Sequence, residues 1–291
     1  YHLDSTMSYG ALNAAADRVA HWAHGAGVGR GDAVALLMEN RPQFVAAWLG
    51  VLIVGAVAAL INTNLRGAAL AHSIAISGAR HVIVGAELDE AFLQVAAQIA
   101  PRPTGWRDGG PVAGMEDLDA ALAAAPATAA DPSWRHGVTC ADKAFYIYTS
   151  GTTGLPKASN FTHLRMLFMM HGFAGGLNAK ASDRMYNVLP LYHSAGGVCA
   201  LGPALLTGGS VILKRRFSVH EFWDDVHRYE ATLFQYIGEL CRYLLNAPTS
   251  RFERDHKVRA ITGNGLRPEI WITFQQRFAI PKIIEFYGAT E

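Results

Sequence analysis

The sequence predicts an α/β protein: layers of helix, sheet and helix built on doubly wound, mostly parallel sheets. Three observations carry that expectation. The segments 33–38, 56–61 and 81–84 are apolar but for His81 rather than alternating, the pattern of strands buried on both faces. Helical stretches separate them, so each strand reaches the next through a crossover. The loops richest in glycine and hydroxyls follow predicted strands, at the ends where such sheets place ligands.

Bulk composition narrows the class. The chain has 291 residues, 51% hydrophobic and 17% charged, which supports a sizeable core and excludes a disordered arm. With 25 basic against 24 acidic residues and no long run of one sign, charge gives no case for nucleic acid as a partner. Cys140, Cys199 and Cys241 form no Cys-x-x-Cys pair; reduced thiols are expected rather than a disulfide framework or a zinc site.

Taken in order, Ser8 caps a first helix with apolar positions Leu12, Ala16, Val19 and Ala23, ending at the Gly25/Gly27/Gly29 cluster. His21 and His24 on it read as surface histidines, since no third metal ligand accompanies them. Strand 33–38, helix 42–54 and strand 56–61 make a β-α-β unit, extended by helix 66–77 and strand 81–84. Residues 1–100 are the first α/β block. From 101 to 137 proline, glycine and alanine dominate, the texture of a connection with one short helix at 116–124. Residues 138–291 form a second block. Its strands are expected at 145–148, 185–189, 210–214, 232–237, 258–262 and 282–286, with helices at 161–170, 198–206, 218–229, 238–245 and 268–278.

The 18 residues from Phe44 to Ile61 lack a charge, the lower limit for a membrane span. Pro42 at a first helical turn and Gly55 just past a helix end favour a helix followed by a buried strand. A mean hydropathy of +0.13 keeps peripheral attachment to a membrane open. Tyr1-His2-Leu3-Asp4 and the abrupt end at Glu291 read as the edges of a fragment, the α/β layer incomplete on its C-terminal side.

The chemistry concentrates at Thr149-Ser150-Gly151-Thr152-Thr153-Gly154-Leu155-Pro156-Lys157. Glycines let backbone N–H groups approach an anion, hydroxyls donate further bonds, and a lysine adds a point charge. The spacing is not that of a Walker A loop. His193, after Pro190-Leu191-Tyr192, reads either as a structural histidine or as a substrate contact. Gly263-Asn264-Gly265 is a tight-turn sequence, and Tyr287 reads as core aromatic or ring-stacking partner. Leu233 to Leu245, with Gly238 giving room at a helix start, is a candidate wall for an apolar tail and equally plain core.

The loop at 149–157 resembles the signature loop of the adenylate-forming enzymes. Leu191-Tyr192-His193-Ser194-Ala195-Gly196 and Tyr287-Gly288-Ala289-Thr290-Glu291 fit the same superfamily. Gln235-Tyr236-Ile237-Gly238-Glu239-Leu240-Cys241-Arg242-Tyr243 and Gly263-Asn264-Gly265-Leu266-Arg267 are similar to the fatty acid transport protein / very-long-chain acyl-CoA synthetase branch. The likeness runs from about Ser8 to the last residue. It implies an ATP-dependent fatty acyl-CoA synthetase that adenylates a long or very long acid, with Mg²⁺ and with CoA as co-substrate. By the same resemblance, Thr149 to Gly154 and Lys157 hold the β/γ-phosphates, and His193 lies beside the acyl carboxylate. Gly263, Asn264, Gly265, Tyr287 and Gly288 take the adenine; Thr290 contacts the α-phosphate and Glu291 binds Mg²⁺. The ribose-binding Asp, the hinge, the small C-terminal domain and its catalytic Lys are expected beyond residue 291, so the fragment alone is expected to be nearly inactive. Two readings stay beside it: a fatty acyl-AMP ligase loading a carrier protein, and a membrane-associated fatty-acid uptake or binding protein. Acyl chain length and oligomeric state are not legible.

Overall fold

A computed structural model describes residue 2, residues 5–149 and residues 154–288. It divides into two compact units, residues 7–166 and residues 167–288, the latter with His2, Ser5 and Thr6.

The first unit is a seven-stranded sheet of order β5-β4-β3-β1-β2-β6-β7. The strands are β1 (Ala33–Leu37), β2 (Val57–Leu60), β3 (His81–Gly85), β4 (Thr104–Asp108), β5 (Glu116–Asp117), β6 (Lys143–Thr149) and β7 (Lys157–Thr162). All neighbours pair parallel except β6 and β7. Helices cover both faces, as the apolar strands require. Toward one face, Ala35, Leu37, Ala59, Ile61, Val82 and Val84 pack with Leu70 and Ile74 of α3 (Gly67–Ser77) and Phe92 and Val95 of α4 (Asp89–Ala96). Toward the other lie α1 (Tyr9–Gly25) and α2 (Pro42–Ile53). There Trp48 meets Phe145 edge-on at 5.0 Å and Trp22 meets Trp106 at 5.2 Å. Ser8 caps α1 by accepting from the Ala11 N–H at 3.1 Å.

The uncharged run 44–61 divides as expected into helix and buried strand, and Gly50 shows why glycine stands inside it. A Cβ there would lie 2.5 Å from Val19 Cβ and 2.6 Å from the Ala16 carbonyl oxygen; its absence lets α1 and α2 touch. Gly55 takes φ +74° in the turn to β2, a left-handed conformation that favours glycine. No helix among the described residues is long and apolar enough to cross a membrane.

Two expectations change here. Residues 101–137, expected as a connection, carry β4 and β5, which extend the sheet past β3, and α5 (Leu118–Ala124). The expected helix 161–170 begins at His163 instead, because Lys157–Thr162 is already committed to pairing with β6. That helix, α6 (His163–Leu177), leads out of the first unit.

The second unit is an all-parallel sheet of order β12-β11-β10-β8-β9. Its strands are β8 (Arg184–Asn187), β9 (Ser210–Leu213), β10 (Leu233–Ile237), β11 (Ala260–Asn264) and β12 (Ile283–Glu285). Tyr186, Ile212, Phe234, Tyr236 and Ile261 form one buried face. It packs against α8 (Phe222–Arg228), α9 (Gly238–Asn246) and α10 (Pro268–Arg277). Trp223 stacks on Phe278 at 4.6 Å and Phe222 meets Phe234 at 5.2 Å. Such pairs add about 0.5–1.5 kcal/mol each beyond the area they bury. The expected helix 198–206 is a π-helix, Ala195–Ala200, continued by α7 (Leu201–Thr207).

Candidate active site

In the first unit the described ends of the 149–157 segment are anchored on the sheet. The last register pair of β6 and β7 sets Thr149 opposite Lys157. Helix α3 anchors both stems: the Tyr148 hydroxyl donates to the Ser73 carbonyl at 2.8 Å, and His72 Nε2 meets the Pro156 carbonyl at 3.1 Å. Burial pushes the Tyr148 phenol far up, keeping it a protonated donor. Gly154 takes φ +83° in open space, and Lys157 is exposed. An exposed lysine and a left-handed glycine thus sit beside anchored strand ends, a composition that suits anion capture. Ser150, Gly151, Thr152 and Thr153 lie outside the described residues.

In the second unit three strand ends carry the remaining residues. After β8 the chain turns at Val188 to Tyr192 into His193, whose N–H donates to the Pro190 carbonyl at 3.2 Å. The His193 carbonyl accepts from Gly197 at 2.8 Å as the π-helix begins. A Cβ on Gly196 or Gly197 would lie 2.3 Å from the carbonyl oxygen of Pro190 or Leu191, so only glycine permits this return. His193 is solvent-accessible yet enclosed enough by protein that desolvation lowers its pKa. That shift favours the neutral imidazole, a hydrogen-bonding group. A π-helix directly after it is the kind of irregularity found at functional sites.

Gly263, Asn264 and Gly265 leave the end of β11, where Gly263 pairs with Tyr236 on β10 and Glu285 on β12. A Cβ on Gly263 would lie 2.3 Å from the Tyr236 carbonyl oxygen, and one on Gly238 would lie 1.7 Å from that of Gly265. Gly238 thus makes room for the Gly265 turn, not for an acyl tail. Gly265 takes φ +82°. The whole turn hangs on Glu285: its carboxylate accepts from the Gly265 N–H, from the Leu266 N–H at 3.1 Å and from the Tyr236 hydroxyl at 2.5 Å. Burial, then the carboxylate beside it, pushes the Tyr236 phenol far up, so it stays a donor. Sequence reasoning missed Glu285. A lone carboxylate at a strand end gives no pattern; its position just before an aromatic–glycine pair is the only available signal.

Two residues beyond Glu285, Tyr287 is 99% exposed. That excludes a core role and leaves its ring face free; Gly288 is exposed beside it. Thr290 and Glu291 lie outside the described residues, the Mg²⁺ assignment with them. The candidate tail wall is mostly core: Leu240, Cys241 and Leu244 are buried in the main cluster, with Tyr243 pointing outward. His24 stacks on Trp134 at 4.2 Å and His21 meets it edge-on at 5.0 Å, so both are packing residues. Among the described residues no group of three His, Cys, Asp or Glu is placed to hold a metal.

The AMP-binding enzyme profile matches residues 1–291. The chain belongs to the AMP-binding enzyme family. Long-chain fatty acid transport protein 1 of Mus musculus is 43% identical over 289 residues, covering 98% of this chain and 44% of the relative. The medium/long-chain-fatty-acid–CoA ligase FadD6 of Mycobacterium tuberculosis is 42% identical over 289 residues, covering 99% and 47%. The chain therefore spans less than half the length of these curated relatives. Among solved structures, the N-terminal domain of FACL13 from Mycobacterium tuberculosis superposes with a TM-score of 0.83 at 26% identity, covering 99% of this chain and 70% of that one. A benzoate CoA ligase from Burkholderia xenovorans LB400 shares the fold with a TM-score of 0.88 at 24% identity, covering 100% and 57%. In this AMP-binding chain, each described motif follows or ends a strand in one of two sheets.

Proposed function

We propose that this chain carries the adenylating part of an ATP-dependent fatty acyl-CoA synthetase. The observation that carries the reading is the Glu285-held Gly263–Gly265 turn next to the strand end that delivers Tyr287. A backbone edge flanked by two glycines, beside an exposed ring, suits a flat purine. A carboxylate oxygen of the fatty acid attacks the α-phosphorus of ATP, the bond to the bridging oxygen breaks, and pyrophosphate leaves with that electron pair. A thiol then attacks the acyl carbon and AMP departs. Such transfers need positioning and charge neutralisation more than covalent help from the protein. Thr149 to Gly154 and Lys157 cradle the β/γ-phosphates, and neutral His193 orients the acyl carboxylate. Gly263, Asn264, Gly265, Tyr287 and Gly288 hold the adenine, and Thr290 meets the α-phosphate. Glu291 is chemically suited to Mg²⁺, a hard cation that supplies further neutralisation of the phosphates. CoA is the expected thiol.

The names of the transport-protein relatives favour a second reading, fatty-acid uptake at a membrane surface, with or without catalysis. Product analysis separates the two. The full-length protein given ATP, fatty acid and CoA should yield AMP, pyrophosphate and acyl-CoA; release of ADP and phosphate, or no nucleotide turnover, would sink the synthetase reading.

A further inference from the structure

The face of the second sheet opposite its main core changes character along the strands. One transverse row, Met185 on β8, Leu233 on β10 and Ala260 on β11, is apolar and packs with Leu177 and Ala200. Two residues nearer the C-terminal ends, on the same face, stand Asn187, Gln235 and Thr262. All three are 0% exposed, and Gln235 and Thr262 are register partners. Asn187 is satisfied: it donates to the Gly196 carbonyl of the π-helix at 3.0 Å and accepts from the Leu189 N–H at 3.0 Å. Its two neighbours are not. Both side-chain polar atoms of Gln235 and the Thr262 hydroxyl are buried without a hydrogen-bond partner among the described residues.

Buried polar groups are almost always paired, and leaving them unpaired is costly. Here adjacent strands bring three unpaired atoms together, one residue short of Gly263 and two short of Asn264. From these we infer that Gln235 and Thr262 form a subsite for a neutral hydroxyl carried on the acyl chain, and so set the specificity of the proposed reaction. The chemistry of the pair selects the group. The amide offers N–H donors and a carbonyl acceptor, and the threonine hydroxyl offers both. A carboxylate would face the amide oxygen and a cation the amide N–H groups, whereas a hydroxyl donates to one and accepts from the other. The position fits as well. The polar row lies nearer the carboxyl ends of the strands than the apolar row of Met185, Leu233 and Ala260.

The inference rests on the acyl-activating reading, and one experiment separates their failures. Dodecanoic acid and its monohydroxylated isomers are titrated calorimetrically into the full-length protein, and acid-dependent pyrophosphate exchange is measured alongside. At least one isomer should bind about tenfold tighter than the unsubstituted acid, the equivalent of one buried hydrogen bond gained. Gln235→Leu should reverse that order while its melting temperature stays at or above the wild-type value, since a leucine has no buried amide to desolvate. Thr262→Val should reduce the preference. If every isomer binds no better than dodecanoic acid, the pair serves an internal water or mere structure, and the inference is overturned even where exchange proceeds. A preference that survives in the Gln235→Leu, Thr262→Val double variant overturns it equally. Loss of exchange with all acids, in a protein that keeps the hydroxyl preference, would overturn the synthetase reading and leave the subsite standing.

Discussion

Glu285 organises more of the second unit's chemistry than any residue the motifs name. Its one carboxylate holds two backbone N–H groups of the Gly265 turn and the Tyr236 hydroxyl. Glu285→Ala should release all three donors and weaken ATP binding by about tenfold, the scale of 1.4 kcal/mol. Glu285→Gln, which keeps an acceptor oxygen, should recover part of it; a titration with ATP measures both. Asp183 plays a similar structural part just before β8. It accepts from Arg259 Nε, from the Thr232 hydroxyl and from the Lys180 N–H, each at 2.8 Å. Burial pushes its carboxyl up, but these bonds and the Arg259 charge outweigh that and hold it below its usual value. A depressed carboxylate contributes stability that is complete above its unfolded pKa of about 4 and is lost as pH falls through the lower folded value. Asp183→Asn should therefore cost about 1.5–3 kcal/mol at neutral pH. That deficit should shrink below pH 4, as denaturant titrations at several pH values would show.

At the scale of elements, what could be read from sequence followed burial. Strands β1, β2 and β3 announce themselves because both their faces are covered and every position but His81 is apolar or glycine. Strand β4, Thr-Gly-Trp-Arg-Asp, buries fully only Gly105, so it carries no such run and the segment around it reads as a connection. Strand β7 buries only Phe161; it lies at the sheet edge, where one side of the backbone has no neighbour to demand apolar residues. The π-helix was unreadable for another reason: Gly196 and Gly197 admit a close backbone return that no periodicity encodes. Gly50 was legible as a helix-packing glycine only once Val19 and Ala16 were beside it. Gly50→Leu should force α1 from α2 and destabilise the protein by about 1–3 kcal/mol or more. Gly25→Ala, where a Cβ meets nothing within 4 Å, should leave the unfolding midpoint unchanged or slightly raised.

Over the whole molecule, the two sheets repeat one rule. Thr149 ends β6, His193 follows β8, Gly263 lies in the last turn of β11 and Tyr287 follows β12, so each described motif sits at or beyond a strand's carboxyl end. The placement of these motifs beyond strand ends was readable because loops there are freed from packing and keep glycines and hydroxyls. Their supports, Glu285 and the α3 anchors His72 and Ser73, were not readable, since a supporting residue needs only one contact and leaves no spacing behind. The claim on which the account turns is carboxylate adenylation by ATP. Acid-dependent exchange of labelled pyrophosphate into ATP, measured on the full-length protein across acids from acetate to very long chains, tests it most directly. Exchange should require a long-chain acid and fall by at least about a hundredfold in Lys157→Ala, the loss of one charge-assisted contact to the phosphates. A folded protein that binds fatty acid and ATP but exchanges no pyrophosphate with any acid would contradict it.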